Sequence, residues 1–140
     1  MKIRIDQADK YFSLCVRERV GNRCEAEGCQ RTSQDYRIDC AHIFSRRHNS
    51  TRWSPENAVS LCFLHHQHWT GDPVEFTTWV ELRIGPQKLA DLRLKAHLNL
   101  KVTKQDKVYI AKHYRSEYAR MKALRESGEM GYLQFEHWGS

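Results

Sequence analysis

The chain has 140 residues, of which 40% are hydrophobic and 29% charged, and its formal net charge at pH 7 is +6. This size predicts one compact domain with a helical extension, and no apolar run approaches the roughly 18 residues of a membrane span. The basic balance favours a polyanionic partner without establishing one.

The N-terminus bears on the cellular compartment. Residues 1–6 lack the apolar core and small-residue cleavage site of a secretory signal, so we expect a cytoplasmic protein with reduced thiols. Of the five cysteines, several lie at short spacings from one another or from histidine. In a reducing compartment such spacings favour a metal over disulfides.

The first predicted element is an amphipathic helix over residues 6–20. Asp6 can cap it, and Phe12, Cys15 and Val16 recur at three- and four-residue steps. Cys15 is therefore expected in the core. The polar turn that follows, residues 22–29, is typical of a zinc knuckle that presents two sulfurs.

Two strands are predicted next, over residues 37–44 and 57–62, as an antiparallel pair. A basic loop, residues 45–56, connects them and is long for a hairpin connection, which favours a functional role. It contains Trp53, expected as a core anchor of the loop, and three arginines that are candidates for phosphate contact, Arg46, Arg47 and Arg52.

The remaining chain predicts helices. A short helix opens at the histidine cluster and ends by Gly71, and three more are expected over residues 73–84, 86–98 and 103–127. Their apolar positions predict a helical core containing Trp79, Leu82, Leu89, Leu92, Tyr109 and Tyr114. Residues 1–71 would then carry the functional site and residues 72–140 a helical extension packed on or beside it.

Four side chains have the composition of a structural zinc site. Cys24 and Cys29 lie in the knuckle, whereas Cys62 and His65 lie three residues apart at the start of a helix, where they share a face. Together they would form a closed Cys3His site that stabilises the fold. Cys40 is the main alternative ligand, and Cys62 has an alternative role as a buried core thiol.

The order of these features resembles a known enzyme family. The knuckle, a strand ending in His42, the basic loop, Asn57, a second strand and a Cys-x-x-His-His helix are similar to the HNH endonucleases, also called ββα-metal or His-Me finger nucleases, in their zinc-supported form. The resemblance covers about residues 21–70. Residues 41–46, Ala-His-Ile-Phe-Ser-Arg, are also similar to phage recombination-type nucleases, which implies a bacterial or phage-infected cell.

The resemblance implies an α+β fold, with a ββα-metal core, a treble-clef-like zinc site, an N-terminal helix and a helical C-terminal extension. It also implies residue roles. His42 would be the general base, a task suited to imidazole because its usual pKa is near 6.5. Asn57 would hold the loop, and His66 would ligate a catalytic divalent ion such as Mg2+ or Mn2+.

Helix geometry separates the neighbouring histidines. Consecutive helical residues lie roughly 100° apart, so His65 can face the zinc while His66 faces the cleft and His68 points away. The family commonly has a metal ligand where this chain has Ala41. Asp39 lies roughly 7 Å back along the strand, so it would act through water, or His66 would be the main protein ligand.

The sequence therefore predicts a metal-dependent DNA endonuclease that acts on double-stranded or branched DNA. The alternative is a catalytically degenerate, zinc-stabilised nucleic-acid-binding module, because Ala41 replaces a usual ligand. Oligomeric state stays open at this point, a dimer included. Specificity, and the choice between a nick and a double-strand break, are also open.

Overall fold

The computed structural model describes residues 3–140 and has a mixed α+β architecture. Its helices and strands follow the predicted order closely. They are α1 (Gln7–Arg19), β1 (Ile38–His42), α2 (Asn49–Arg52), a 3-10 turn (Pro55–Asn57), β2 (Ala58–Cys62), α3 (Phe63–Gly71), α4 (Pro73–Ile84), α5 (Pro86–Ala96) and α6 (Lys104–Glu126).

Helix α1 begins with a reciprocal capping box. The Asp6 carboxylate accepts from the Asp9 backbone N–H, and the Asp9 carboxylate accepts from the Asp6 N–H, each over 3.0 Å. This pair satisfies two donors that a helix start leaves free. Helix α6 packs along α1, and the two share a core that contains Phe12, Cys15 and Tyr114. Helix α6 thus packs against α1 through a shared hydrophobic core.

The sheet has two antiparallel strands, as predicted. Ile38 is paired with Cys62 at one end and His42 with Ala58 at the other. All five residues of β2 are buried, because apolar clusters lie on both sides of the strand. One cluster contains Ala58 with α1 and α6, and the other contains Val59 and Leu61 with α3. The sheet therefore separates two small cores.

The connection between the strands is more ordered than a loop. It contains α2 and the 3-10 turn, neither of which the sequence pattern predicted. Tertiary contacts hold both: the Arg52 guanidinium bonds the Asp9 carboxylate of α1, and the Asn57 amide donates to the Thr51 carbonyl. Trp53 is fully buried, which confirms its predicted anchoring role.

Two predicted core residues are wrong. Leu82 is 83% exposed and Tyr109 is 56% exposed. In α4 the buried residue is Val80, two positions before Leu82, and in α6 the buried positions are Ile110, Tyr114 and Met121. Each helix covers a core with one face only. An offset of one residue turns a side chain by roughly 100° around the helix axis and an offset of two by roughly 200°, so Tyr109 and Leu82 lie outside that face.

Helix α5 ends at Ala96, two residues before the predicted end, and α6 begins and ends within a residue of its prediction. Gly85 separates α4 from α5 with a φ of 89°, a conformation that favours glycine over other residues. Among residues 3–140, no helix combines the length and apolar character that crossing a bilayer requires.

Candidate functional site

The knuckle between α1 and β1 is attached to the second strand. The Glu25 backbone N–H donates to the Ser60 carbonyl over 2.8 Å, and the Ser60 hydroxyl donates to the Arg23 carbonyl over 2.8 Å. Within the knuckle, the Cys29 backbone N–H donates to the Ala26 carbonyl and closes a turn, in which Gly28 has a φ of 74°. The left-handed turn at Gly28 brings Cys29 back towards Cys24.

The other half of this cluster lies where β2 becomes α3. Cys62 is the last residue of the strand and the N-cap of the helix, and its sulfur accepts from the His65 backbone N–H at 3.5 Å. His65 follows three residues later, on the first turn of α3. One strand-to-helix junction thus supplies two ligands, with no separate loop needed to position them.

The ligand atoms of Cys24, Cys29, Cys62 and His65 lie within 4.8 Å of one another. The His65 Nδ1 atom lies 3.2 Å from the Cys62 sulfur and 3.6 Å from the Cys24 sulfur. Tetrahedral zinc with bonds of about 2.0–2.3 Å places its ligand atoms roughly 3.3–3.8 Å apart. The donor set and the spacing fit structural zinc. Cys40, the predicted alternative ligand, lies outside the cluster.

The electrostatic surroundings favour the metal-binding forms of two of these ligands. Burial, followed by the charges of Arg31 and His68, lowers the pKa of His65, which keeps its imidazole neutral. Burial alone would raise the pKa of Cys29, but hydrogen bonds outweigh it and the pKa lies below the usual value. One of these bonds comes from Arg31, whose Nη1 atom lies 3.6 Å from the Cys29 sulfur and 3.8 Å from the Cys62 sulfur.

The next residue of α3 has a different environment. The His66 Nδ1 atom lies 2.9 Å from Oδ2 of Asp39, so the carboxylate of β1 holds the imidazole of α3. The other Asp39 oxygen accepts from Arg37 Nε over 2.8 Å. The neighbouring backbone bond from Phe63 N–H to the Arg37 carbonyl, 2.9 Å, brings strand and helix together here.

Asp39 is therefore an orienting partner of His66. Burial raises the pKa of Asp39, but the hydrogen bonds from His66 and Arg37 together outweigh burial and leave that pKa below its usual value. The ionised carboxylate fixes the proton on His66 Nδ1 and leaves Nε2 free to bind an ion. Such carboxylate–histidine pairs are common around protein metal ions. Among the described residues, no cluster of three or more ligands includes this pair.

His42 is held by the connection that follows β1. Its Nε2 atom lies 2.9 Å from the Arg52 carbonyl oxygen, which can only accept. Nε2 therefore carries the proton, and Nδ1 keeps its lone pair. The ring also lies against Phe12, with 5.8 Å between ring centroids. Burial lowers the pKa of His42 to about 4, so the imidazole is neutral at pH 7.

Asn57 is fully buried and holds the connection at three points. Its amide accepts from the Phe44 backbone N–H over 2.8 Å and donates to the Phe44 carbonyl over 2.9 Å. It also donates to the Thr51 carbonyl over 3.0 Å. These bonds fix the backbone on both sides of the His42 imidazole, since Phe44 follows His42 and Thr51 precedes the carbonyl that His42 contacts.

The predicted site residues thus form two hydrogen-bonded groups. Asp39 and His42 lie on one strand, three residues or roughly 10 Å apart. Asp39 contacts α3, whereas His42 contacts the connection and α1. Within residues 3–140 no hydrogen bond links the two groups directly. His68, predicted to point away, is exposed and pairs with Glu75.

The three predicted phosphate-binding arginines differ in their solvent exposure and in their ion pairs. Arg47 is exposed and Arg46 half-buried, and neither forms an ion pair with any residue that the structure describes. Arg52 requires a correction, because it is 5% exposed and its guanidinium is bound by Asp9 at 2.6 and 2.9 Å. Its charge is neutralised inside the fold, so its role is to hold α2 against α1.

One cation near the site was not predicted. The Arg93 guanidinium of α5 lies 5.7 Å from the Phe44 ring, beside the segment that carries His42. Nothing in the local sequence of α5 distinguishes Arg93 from a solvated helix residue, because the contact joins positions 49 residues apart only in the fold.

Comparisons of the chain with protein-family models, with curated proteins and with solved structures give no match. Its function must therefore be inferred from the chemistry of these residues.

Proposed function

We propose that the protein is a metal-dependent DNA endonuclease, in which β1, β2 and α3 form a ββα-metal unit and the four-ligand cluster binds structural zinc. The observation that carries the proposal is the state of His42. One ring nitrogen donates to the Arg52 carbonyl, and the other retains its lone pair in a fixed orientation. A neutral imidazole with one free lone pair is the form that a general base requires.

In the proposed reaction, His42 Nδ1 takes a proton from a water molecule as the water oxygen attacks the phosphorus of a phosphodiester. The new P–O bond forms as the bond from phosphorus to the leaving 3′ oxygen breaks, and that oxygen takes a proton from solvent. The carbonyl of Arg52 stabilises the imidazolium that results, because its partial negative charge lies 2.9 Å from Nε2.

His66 would hold the catalytic ion through Nε2, because Nδ1 is engaged by Asp39. A divalent ion such as Mg2+ or Mn2+, when bound, stabilises charge on the phosphate and on the departing oxygen. Asp39 would be a positioning residue here: its carboxylate fixes the ring orientation and increases the basicity of the free nitrogen. Water and substrate phosphate would complete the coordination.

The basic side chains around His42 support a nucleic-acid substrate. Arg46 and Arg47 lie in the connection and have no carboxylate partner among the described residues, and Arg93 lies over Phe44. Arginines of this kind contact phosphates largely independently of base sequence. Double-stranded or branched DNA fits this surface, and base specificity is not part of the proposal.

The test is cleavage of supercoiled plasmid by zinc-loaded protein with Mg2+, with Mn2+, or with neither ion. Omitting the ion is preferable to adding a chelator, which would also remove zinc. We expect nicking that requires the added ion and falls by about 10²- to 10⁴-fold in His42→Ala. His68→Ala is the matched control, because it removes an exposed histidine from the same protein. Cleavage that is equal in wild type and His42→Ala would refute the proposal.

A second candidate is a zinc-stabilised DNA-binding module without activity. It is favoured by the absence, in the described part of the chain, of a third ligand beside His66 and Asp39, and by Ala41, which is buried among apolar residues where the family has a ligand. This module would bind DNA with an affinity that falls steeply with salt, yet would cleave it with neither ion.

A further inference from the structure

One arginine side chain lies directly against the four-ligand cluster. The Arg31 Nη1 atom lies 3.6 Å from the Cys29 sulfur and 3.8 Å from the Cys62 sulfur. Cys29 belongs to the knuckle, and Cys62 to the junction of β2 with α3. A single guanidinium thus contacts both halves of the cluster. It is not itself a metal ligand, because a guanidinium has N–H donors and no acceptor.

The backbone fixes the position of Arg31. The Cys24 N–H donates to the Arg31 carbonyl over 3.0 Å, and the neighbouring residues Arg23 and Thr32 form an antiparallel bridge. The chain therefore folds back after the knuckle and runs beside its first cysteine. The guanidinium also lies over the ring of Tyr36, 5.2 Å from the ring centroid. The local structure that presents two of the sulfurs thus also presents the arginine.

No carboxylate forms an ion pair with this guanidinium in the part of the chain that the structure describes. The knuckle acids Glu25 and Glu27 both pair with Arg83 of α4. Asp35, four residues after Arg31, is exposed and forms no ion pair with it. The charge of Arg31 is therefore available to the sulfur atoms of the cluster.

The cluster needs a counter-charge when it binds zinc. Three thiolates and one neutral imidazole around Zn2+ leave one net negative charge. Cys24 and Cys62 are buried, so water neutralises this charge poorly, and a charge of this kind requires a partner. Another arginine at this end of the sheet, Arg37, is already bound to Asp39, whereas Arg31 has no such partner.

We propose that Arg31 is a positioning residue of the zinc site, which stabilises the thiolates of Cys29 and Cys62 through its N–H groups and balances the negative charge of the complex. The inference deepens the zinc site of the proposed function and rests on it. Hydrogen-bonding partners of metal ligands contribute to metal affinity and withdraw electron density from the ligand atoms they donate to. Arg31 should therefore increase the affinity of the protein for zinc.

The first test is zinc affinity, measured by competition of the zinc-loaded protein with a chromophoric zinc chelator at fixed pH and ionic strength. Arg31→Gln keeps a polar side chain but removes the charge. It should lower zinc affinity by about 10- to 100-fold, the usual effect of removing a hydrogen-bonding partner of a metal ligand. Arg31→Lys retains the charge and should lose less affinity than Arg31→Gln.

Arg23→Gln is the matched control. Arg23 directly precedes Cys24 and is exposed, and within residues 3–140 its side chain forms no hydrogen bond with a ligand sulfur. The substitution keeps the bond from the Ser60 hydroxyl to the Arg23 carbonyl, which is a backbone group. It removes the same charge from the same knuckle, so it separates contact with sulfur from net charge alone. We expect the zinc affinity of the wild type.

The second test is the absorption spectrum of protein in which Co2+ replaces zinc. A hydrogen bond lowers the energy of the sulfur electrons, so the sulfur-to-cobalt charge-transfer band should lie at longer wavelength in Arg31→Gln than in wild type. The d–d bands report tetrahedral geometry and should stay the same, which also shows that the variant folds around the metal. A role of Arg31 in folding alone would not move the charge-transfer band.

Two results would overturn the inference: equal zinc affinity in Arg31→Gln and Arg23→Gln, or a charge-transfer band at the same wavelength in Arg31→Gln and wild type. If Arg31→Gln binds no metal, Arg31→Lys decides, because restored binding supports a role for the charge and no binding by either variant overturns it. Absence of zinc binding by the wild-type protein is a different result. It would refute the zinc site of the proposed function, and this inference with it.

Discussion

His65 and His66 are consecutive residues of α3, yet they belong to different sites. His65 supplies one of four ligand atoms that lie within 4.8 Å of one another. A tetrahedral metal bound by all four would have no open coordination position. His66 has a single partner, Asp39, and a free Nε2. The first environment fits a metal that stabilises the fold, whereas under the proposed function the second would hold an ion that also contacts the substrate.

The difference shows how one short helix can serve both purposes. A rotation of roughly 100° per residue directs adjacent side chains of α3 to different faces of the helix. The closed cluster then fixes α3, and α3 in turn fixes His66 relative to β1. If this comparison is right, changes to the closed cluster should affect stability first, and changes to the open histidines should affect activity first.

The largest expected effect is that of Cys62→Ala, which removes one of the four ligands. Apparent binding energies of structural zinc are about 10–16 kcal/mol, so we expect a loss of zinc and of cooperative folding. Zinc content and a thermal melt measure this. Cys40→Ala, which removes a thiol outside the cluster, should keep one zinc per chain. Equal zinc content in the two variants would break the comparison.

The next effect concerns the two neighbouring histidines. His66→Ala should retain zinc and fold but lower cleavage by about 10²-fold or more, because it removes the proposed ligand of the catalytic ion. His65→Ala should lose zinc. Zinc content and plasmid nicking, measured on both variants, separate the two roles. Loss of zinc in His66→Ala would mean that the sites are not distinct.

The pH dependence of stability should report on His42. Its pKa is about 4 in the fold and 6.5 in the unfolded chain, so above pH 6.5 both states are neutral and stability is full. As pH falls from 6.5 to 4, the unfolded chain takes the proton first, and the free energy of unfolding should decrease by about 3 kcal/mol. Urea unfolding across this range measures the decrease.

His42→Gln is the control for that measurement. Its side-chain amide can still donate to the Arg52 carbonyl but does not titrate, and the zinc cluster is unchanged. Subtracting the two pH profiles removes any acid release of zinc. Identical profiles would contradict the lowered pKa of His42.

The smallest expected effect is that of Asp39→Asn, which preserves shape but removes the carboxylate charge from His66. Orienting partners of metal-binding histidines contribute about 10- to 100-fold in metal affinity or activity. The Mg2+ concentration that gives half-maximal cleavage should therefore rise, while the zinc content stays the same. A fall in zinc content would place Asp39 in the closed cluster instead.

Local sequence features predicted the site elements well. β1, β2 and α3 lie within about two residues of their predicted bounds, because apolar runs mark the strands and Gly71 marks the end of the helix. The four zinc ligands were also recognisable, since their spacing is itself the signal. In both cases the determining contacts are short in sequence.

Long-range contacts account for what was missed. Arg52 reads as a surface arginine in a basic segment, but its partner Asp9 lies 43 residues away, on α1. The hydrogen bond between Asp39 and His66 was not predicted, because it spans 27 residues and depends on side-chain reach. Helix α2 and the 3-10 turn have no periodic sequence pattern of their own. They depend on tertiary hydrogen bonds, such as those of Arg52 with Asp9 and of Asn57 with Thr51.

The side chain of Asn57 also shields the backbone amide of Phe44 from exchange with solvent. Its side-chain amide bonds both the N–H and the carbonyl of Phe44, and its own carbonyl accepts from the Ile43 N–H over 2.8 Å. The amide thus imitates a peptide group and adds a rung to the ladder beyond His42 and Ala58. The Phe44 amide should consequently exchange with solvent deuterium as slowly as a sheet interior does, although it belongs to no strand.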